Sequence, residues 1–228
     1  AARSLLMDND IYCQLMDERF SGEPLDVIFT GQLRPDQELA VNQMLTHDTG
    51  VLCAPTAFGK TVAAASIISR RGVSTLILVH RTELLKQWQE RLNGFLDVGK
   101  GMIGTIGGGK SKPSGRIDIA VMQSVSRQGE VNPLVEKYGQ IIVDECHRGS
   151  SNENSAWREI LEHYSSATQV GLTATPKRQD NVDTYKYFGE PVYIYSLKEG
   201  INDGFLTPFK VKRISTTLDD YIYTSDDQ

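Results

Sequence analysis

Val51-Leu-Cys-Ala-Pro-Thr-Ala-Phe-Gly-Lys-Thr61 is a short apolar run that breaks into a turn containing Pro55 and Gly59, then enters an alanine-rich stretch. Strand, glycine-containing turn and helix start in that order form a phosphate-binding loop. The turn's backbone N–H groups, at the N-terminus of the following helix, point at an anion, and the helix dipole adds roughly half a positive charge there. On this reading Pro55, Thr56, Ala57, Phe58 and Gly59 form the cradle of a nucleoside triphosphate. Lys60 reaches its β and γ phosphates, and the Thr61 hydroxyl ligates magnesium. The pattern usually opens with glycine, and here that position is Ala54. An ordinary strand-to-helix turn that happens to hold Gly-Lys-Thr is the plain alternative.

Outward from this segment, strand-like and helical stretches alternate, the arrangement of an α/β fold with a parallel sheet covered by helices on both faces. Helices are expected over Leu33 to Thr46, with Leu39, Val41, Met44 and Leu45 apolar, and over Thr61 to Arg71, closed by Gly72. Another is expected from a Thr82 cap to an exit at Gly94, with Leu84, Leu85, Trp88 and Leu92 on one face, and a fourth over Ser155 to Tyr164. Strands are expected at Val51 to Ala54, Thr75 to Val79, Ile117 to Met122, Gln140 to Val143 and Gln169 to Leu172. Their near-continuous apolar character is that of strands buried on both faces. Gly101 to Gly115, rich in glycine and lysine, reads as a turn-dominated loop. Residues 1–32 read as a lead-in, the remnant of a preceding domain, and residues 33–187 as the nucleotide lobe. Residues 188–228 read as a connection leading onward.

The 228 residues are 39% hydrophobic, enough for a core, and carry a net charge of −5. That balance excludes a general nucleic-acid coat protein, whose affinity grows with its Lys and Arg contacts, so any DNA site must be local. Cys13, Cys53 and Cys146 form neither a disulfide framework nor a zinc pattern. A reducing cytoplasm is the expected location. No apolar run approaches the ~20 residues of a membrane span, so no membrane partner is expected.

Ile141-Ile-Val-Asp144-Glu145-Cys146-His147 is an apolar strand ending in two adjacent carboxylates, at the sheet edge where such folds place their ligands. Asp144 would hold the magnesium shell and Glu145 would orient and deprotonate the attacking water. A solvated acidic turn is the bland reading. A third segment, Gly171-Leu-Thr173-Ala174-Thr175-Pro176, again follows an apolar strand directly.

Phosphate loop, Asp-Glu-Cys-His, then Thr-Ala-Thr-Pro, each behind a strand, resembles superfamily 2 helicases and translocases over about Leu33 to Pro176. The resemblance implies the first RecA-like lobe of a P-loop NTPase that hydrolyses ATP with Mg2+ to move on DNA. It implies that Gln37, in Leu-Arg-Pro-Asp-Gln, reads adenine, and that Thr173 and Thr175 couple hydrolysis to movement; His147, behind the two carboxylates, is read as a hydrogen-bonding link between the two sites, with a surface imidazole as the plain alternative. Arg81, in Val79-His-Arg-Thr-Glu-Leu84, and Gln123 with Ser124 would touch the nucleic-acid backbone. Lys110, Lys112 and Arg116 in the glycine-rich loop, and Lys177 and Arg178 behind the third segment, are further basic candidates. Such motors grip phosphates rather than bases, so little sequence specificity is expected.

Finer likenesses diverge. Asp144-Glu-Cys-His-Arg-Gly149, Trp157-Arg-Glu-Ile-Leu161, Thr175-Pro-Lys-Arg178 and Gly200-Ile-Asn-Asp-Gly-Phe-Leu-Thr-Pro-Phe209 resemble the motor subunit of type I restriction enzymes, which implies nuclease and methyltransferase partners. The front half, with Ile106-Gly-Gly-Gly-Lys110, resembles helicases of bacterial and phage defence or repair systems. The family's second-lobe arginines, in a Gln-x-x-Gly-Arg-x-x-Arg pattern, do not occur here, so a second RecA-like lobe is an expected partner. Losing an arginine finger costs ~10³ or more in rate, so the isolated lobe should turn over slowly. A GTPase would need an Asn-Lys-x-Asp element, and none is present. A nucleotide-binding pseudo-enzyme or scaffold without motor activity stays open on the strength of Ala54.

Overall fold

The computed structural model describes residues 12, 22–109, 111–127, 130–146, 156–174 and 184–208. In chain order, β1 (Ile28–Phe29) precedes α1 (Pro35–Leu45), and β2 (Thr49–Cys53) leads through a 3₁₀ turn at Thr56–Phe58 into α2 (Lys60–Arg71). β3 (Thr75–Val79), α3 (Thr82–Phe95), β4 (Leu96–Asp97), β5 (Ile103–Ile106) and β6 (Ile117–Val121) follow. Next come α4 (Met122–Val125), β7 (Ser126–Arg127), β8 (Glu130–Val131) and β9 (Gln140–Asp144). The last elements are α5 (Ala156–His163), β10 (Thr168–Thr173), α6 (Thr184–Phe188), β11 (Tyr193–Ile194) and α7 (Leu197–Asn202).

Among the described residues, seven strands form one sheet in the order β11-β2-β10-β9-β3-β6-β5, and every pairing in it is parallel. Strand alternation sorts the apolar side chains into two cores. Leu52, Ile77, Val79, Ile142 and Leu172 join α1, α2 and α3 on one face. Val51, Leu76, Leu78, Ile141 and Val143 join α5 and Phe188 on the other. Burial on both faces is why these strands read as unbroken apolar runs. This is the parallel sheet flanked by helices on both faces that the alternating pattern implies, and the RecA-like arrangement that the resemblance to superfamily 2 helicases implies.

Several expectations shift. Gly101 to Gly115 is not all turn, because Ile103–Ile106 pairs with β6 as the sheet's edge strand, and Lys112 then folds back on Thr105. Leu39 is 51% exposed, so the buried face of α1 is Gln37, Ala40, Val41 and Met44. Thr82 does not cap α3; Arg81 holds that position in extended conformation, without a side-chain cap bond, and Thr82 is the first helical residue. The helix also runs past Gly94 to Phe95. Gly72 closes α2 as expected, at φ 61° with its N–H on the Ile68 carbonyl.

Residues on either side of the 33–187 stretch pack onto it. Leu25 N–H donates to Gly72 O, and Phe29 N–H donates to Ser69 Oγ. At the other end β11 pairs in parallel with β2.

Candidate nucleotide site and nucleic-acid edge

The turn after β2 is shaped by Gly59. The 3₁₀ turn Thr56–Phe58 and α2 meet there at φ 83°, a left-handed conformation that costs an L side chain roughly 1–2 kcal/mol. The Gly59 carbonyl accepts from the Val62 and Ala63 N–H groups. The amides that precede these in the first turn therefore lie ahead of the helical ladder, as anion donors must. Ala54, where the pattern usually has glycine, is buried. It is not among the left-handed residues, and Glu145 is the one described non-glycine that is. Ala54 N–H donates to Thr173 O, and its carbonyl accepts from Lys60 Nζ at 2.8 Å. The alanine Cβ thus strains nothing in the loop.

Gln37 is 3% exposed. Its Nε2 donates to Phe58 O at 2.6 Å, and its Oε1 accepts from Arg34 N–H at 2.9 Å. The α1 start is thereby clamped to the phosphate-loop turn. Arg34, a residue to which the sequence assigned no role, donates to the same carbonyl at 3.0 Å, and its guanidinium lies 4.1 Å from the centroid of the Phe205 ring. An arginine immediately before a helix-opening proline, packed on an aromatic, could have been suspected only with the 205 region folded back.

The carboxyl edge of the sheet opens into a cavity of about 610 Å³. Thr56, Gly59, Lys60 and Thr61 from the turn and α2 line it together with Asp144 and Glu145 from the end of β9 and His80, Arg81, Glu83 and Gln87 from around the start of α3. Burial pulls the Lys60 ammonium below its usual range, and Glu145 and Asp144 oppose that pull. Burial pushes the Asp144 carboxyl up, against the hydrogen bond it accepts from Trp88 and the nearby Lys60 and His80. Glu145 has φ 57°, left-handed backbone directly after β9. Strain of this kind costs about 1–3 kcal/mol and concentrates where a side chain must be aimed. Among the described residues no three His, Cys, Asp or Glu side chains group as a metal cage. An ion held here would rely on Thr61, Asp144, waters and phosphate oxygens, the habit of magnesium.

Thr173 is fully buried and its carbonyl joins β10 to the phosphate-loop strand. His147, Thr175, Lys110, Lys177 and Arg178 lie outside the described residues. Arg81 is exposed at the start of α3, and Gln123 and Ser124 are exposed on α4. The glycine-rich turn lies between them. A Cβ on Gly107 would stand 2.7 Å from Ser124 Oγ, and one on Gly108 2.7 Å from Thr82 Cγ2. Three segments far apart in sequence thus meet along the carboxyl edge. Arg116 does not join them: it precedes β6 at the opposite edge and donates to Pro24 O at 3.2 Å. Lys112 is exposed beside the edge strand.

Comparison with known proteins places this arrangement. The chain is 42% identical over 179 residues to a type I restriction enzyme EcoAI endonuclease subunit of Escherichia coli, covering 74% of this chain and 22% of that one. It is 32% identical over 188 residues to a DNA 3'-5' translocase XPB2 of Sulfurisphaera tokodaii, covering 82% and 41%. It thus spans well under half of either relative. In fold it is similar to the UvsW helicase of bacteriophage T4, with TM-score 0.57, 18% identity and coverage of 82% of this chain and 73% of that one. No helix among the described residues is long and apolar enough to cross a membrane. The family described as "Type III restriction enzyme, res subunit" matches residues 30–178; the chain belongs to that family and forms a first RecA-like lobe of superfamily 2 type, resembling the motor subunit of type I restriction enzymes.

Proposed function

We propose that this chain is the ATP-binding lobe of a DNA helicase or translocase, hydrolysing ATP to move along DNA. The observation that carries the reading is one cavity shared by Lys60, Thr61, Asp144 and Glu145 and lined also by Arg81, the residue before α3. The residues fit a magnesium nucleotide: a helix N-terminus behind a left-handed glycine, a buried lysine, and two carboxylates on one cavity. Lys60 would leave the Ala54 carbonyl for the β and γ phosphates, and Gln37 would read the adenine edge. Thr61 and Asp144 would hold magnesium, which offsets the charge of the phosphates. Glu145 would take a proton from the attacking water. Thr173, Thr175 and His147 would relay the result to the DNA edge, where Arg81, Gln123, Ser124, Lys110 and Lys112 would contact backbone phosphates.

Residues 33–187 would be the lobe itself, 1–32 a lead-in, and 188–228 the start of a connection to a second RecA-like lobe that supplies the missing arginines. The 42% identity to a type I subunit, against 32% to the translocase, favours a restriction motor with nuclease or methyltransferase partners in the cytoplasm. Ala54 offers no support to a pseudo-enzyme, since its conformation is an ordinary one.

The test is thermal unfolding in ~1 mM magnesium-ATP beside Lys60→Ala. A dissociation constant near 100 μM would stabilise the wild type by about 1.4 kcal/mol and leave the variant unmoved. Equal shifts in both would sink the phosphate-loop assignment. Glu145→Gln should retain the shift and lose turnover, an outcome a scaffold would not give.

A further inference from the structure

Trp88 reads in the sequence as one more apolar residue on the buried face of α3, and it is indeed only 3% exposed. Its polar end is not spent on a backbone carbonyl. The indole Nε1–H donates to Asp144 Oδ2 at 2.8 Å, and both residues line the cavity that holds Lys60, Thr61 and Glu145. A buried indole N–H needs a partner, but a carboxylate at the tip of β9 is a specific choice among many acceptors. The bond takes Oδ2 of Asp144 and restrains the rotation of a carboxyl group that lines the cavity. It also favours the ionised carboxylate, against the burial that disfavours it.

We propose that Trp88 is a positioning residue of the magnesium site, holding Asp144 through its indole N–H so that one carboxylate oxygen is presented to the ion's hydration shell. The inference rests on the nucleotide-site reading above. It adds a residue from α3, the helix that directly follows Arg81 at the proposed DNA edge, so the metal site and that edge adjoin one element.

The test is binding of a fluorescent ATP analogue by this chain across a magnesium titration, in wild type and Trp88→Phe. Phenylalanine keeps most of the apolar packing and lacks the donor. Outer partners of metal ligands typically contribute 10–100-fold to metal affinity, so the half-saturating magnesium concentration should rise about tenfold. Analogue affinity in EDTA should stay unchanged. Leu92→Ala, which injures the packing of the same helix and spares the indole, should leave the magnesium midpoint in place. A second measurement avoids substitution at Trp88 altogether. The chain has two tryptophans, so Trp157→Phe leaves Trp88 as the sole indole, and its emission should change with magnesium at the same midpoint once nucleotide is present. Wild-type binding that depends on magnesium, together with an unmoved midpoint in Trp88→Phe or an indifferent Trp88 emission, overturns the role of Trp88 alone. Wild-type binding without magnesium dependence overturns the nucleotide-site reading itself.

Discussion

Glu145 and Gly59 both hold left-handed backbone, and the two should respond oppositely to substitution. Gly59 sits there without a side chain, and a Cβ would approach Gln37 Nε2 to 2.8 Å. Gly59→Ala should therefore cost about 1–2 kcal/mol in a urea melt and weaken nucleotide binding by displacing Gln37. Glu145 bears the same kind of strain with a full side chain at φ 57°. Glu145→Asn, a residue that tolerates this region, should raise stability by up to about 1 kcal/mol while hydrolysis is lost. A stability loss in that variant would mean that the carboxylate, not the backbone, governs the position. That Lys60, Asp144 and Glu145 share one cavity was legible because the Gly-Lys-Thr turn and the paired carboxylates each follow an apolar strand. Trp88 and Arg34 were not, since what matters is the acceptor each one meets, and that depends on α3 and the 205 region packing back onto the edge.

At the scale of elements, legibility followed length and burial. The five-residue strands β3, β6 and β9 are mostly apolar and almost wholly buried and stood out, whereas β5 hides inside a glycine-rich stretch because it is a four-residue edge strand. Its Gly104 lies against Asp118 and the Lys112 backbone, where a Cβ would have no room. β11, two residues long, left no periodic signal at all. The start of α3 moved by one residue because an extended arginine can precede a helix as well as a capping threonine. One close contact at an element edge gives a direct test. Gly50 in β2 faces Val192, and a Cβ there would fall inside van der Waals contact with that valine. Gly50→Ala should cost about 1–3 kcal/mol by overpacking, and Val192→Ala in the same chain should recover part of the loss. Additive losses in the double variant would argue that the contact is not the cause.

Across the whole molecule, the sheet stands between two cores, and β2 is an interior strand only because β11 covers its outer edge. Tyr195, 4% exposed, anchors that cover in the core around Phe58, with ring centroids 5.0 Å apart. Removing residues 190–228 should uncover the edge of β2 and lower the melting temperature on the order of 5 °C, from the loss of one buried aromatic and its neighbours. Light scattering should rise as the bared apolar edge pairs between chains. A fragment with unchanged melting and no scattering would show that β2 closes the sheet unaided. The order of strands also has a meaning in time. β2 leaves a ribosome well before its sheet neighbours β10 and β11. At ordinary elongation rates the phosphate-loop strand waits on the order of ten seconds for its parallel partners. During translation, then, the nascent chain carries the lysine and threonine of the proposed nucleotide site without the sheet that aims them, and on that proposal ATP would find a binder only once synthesis has passed Thr173.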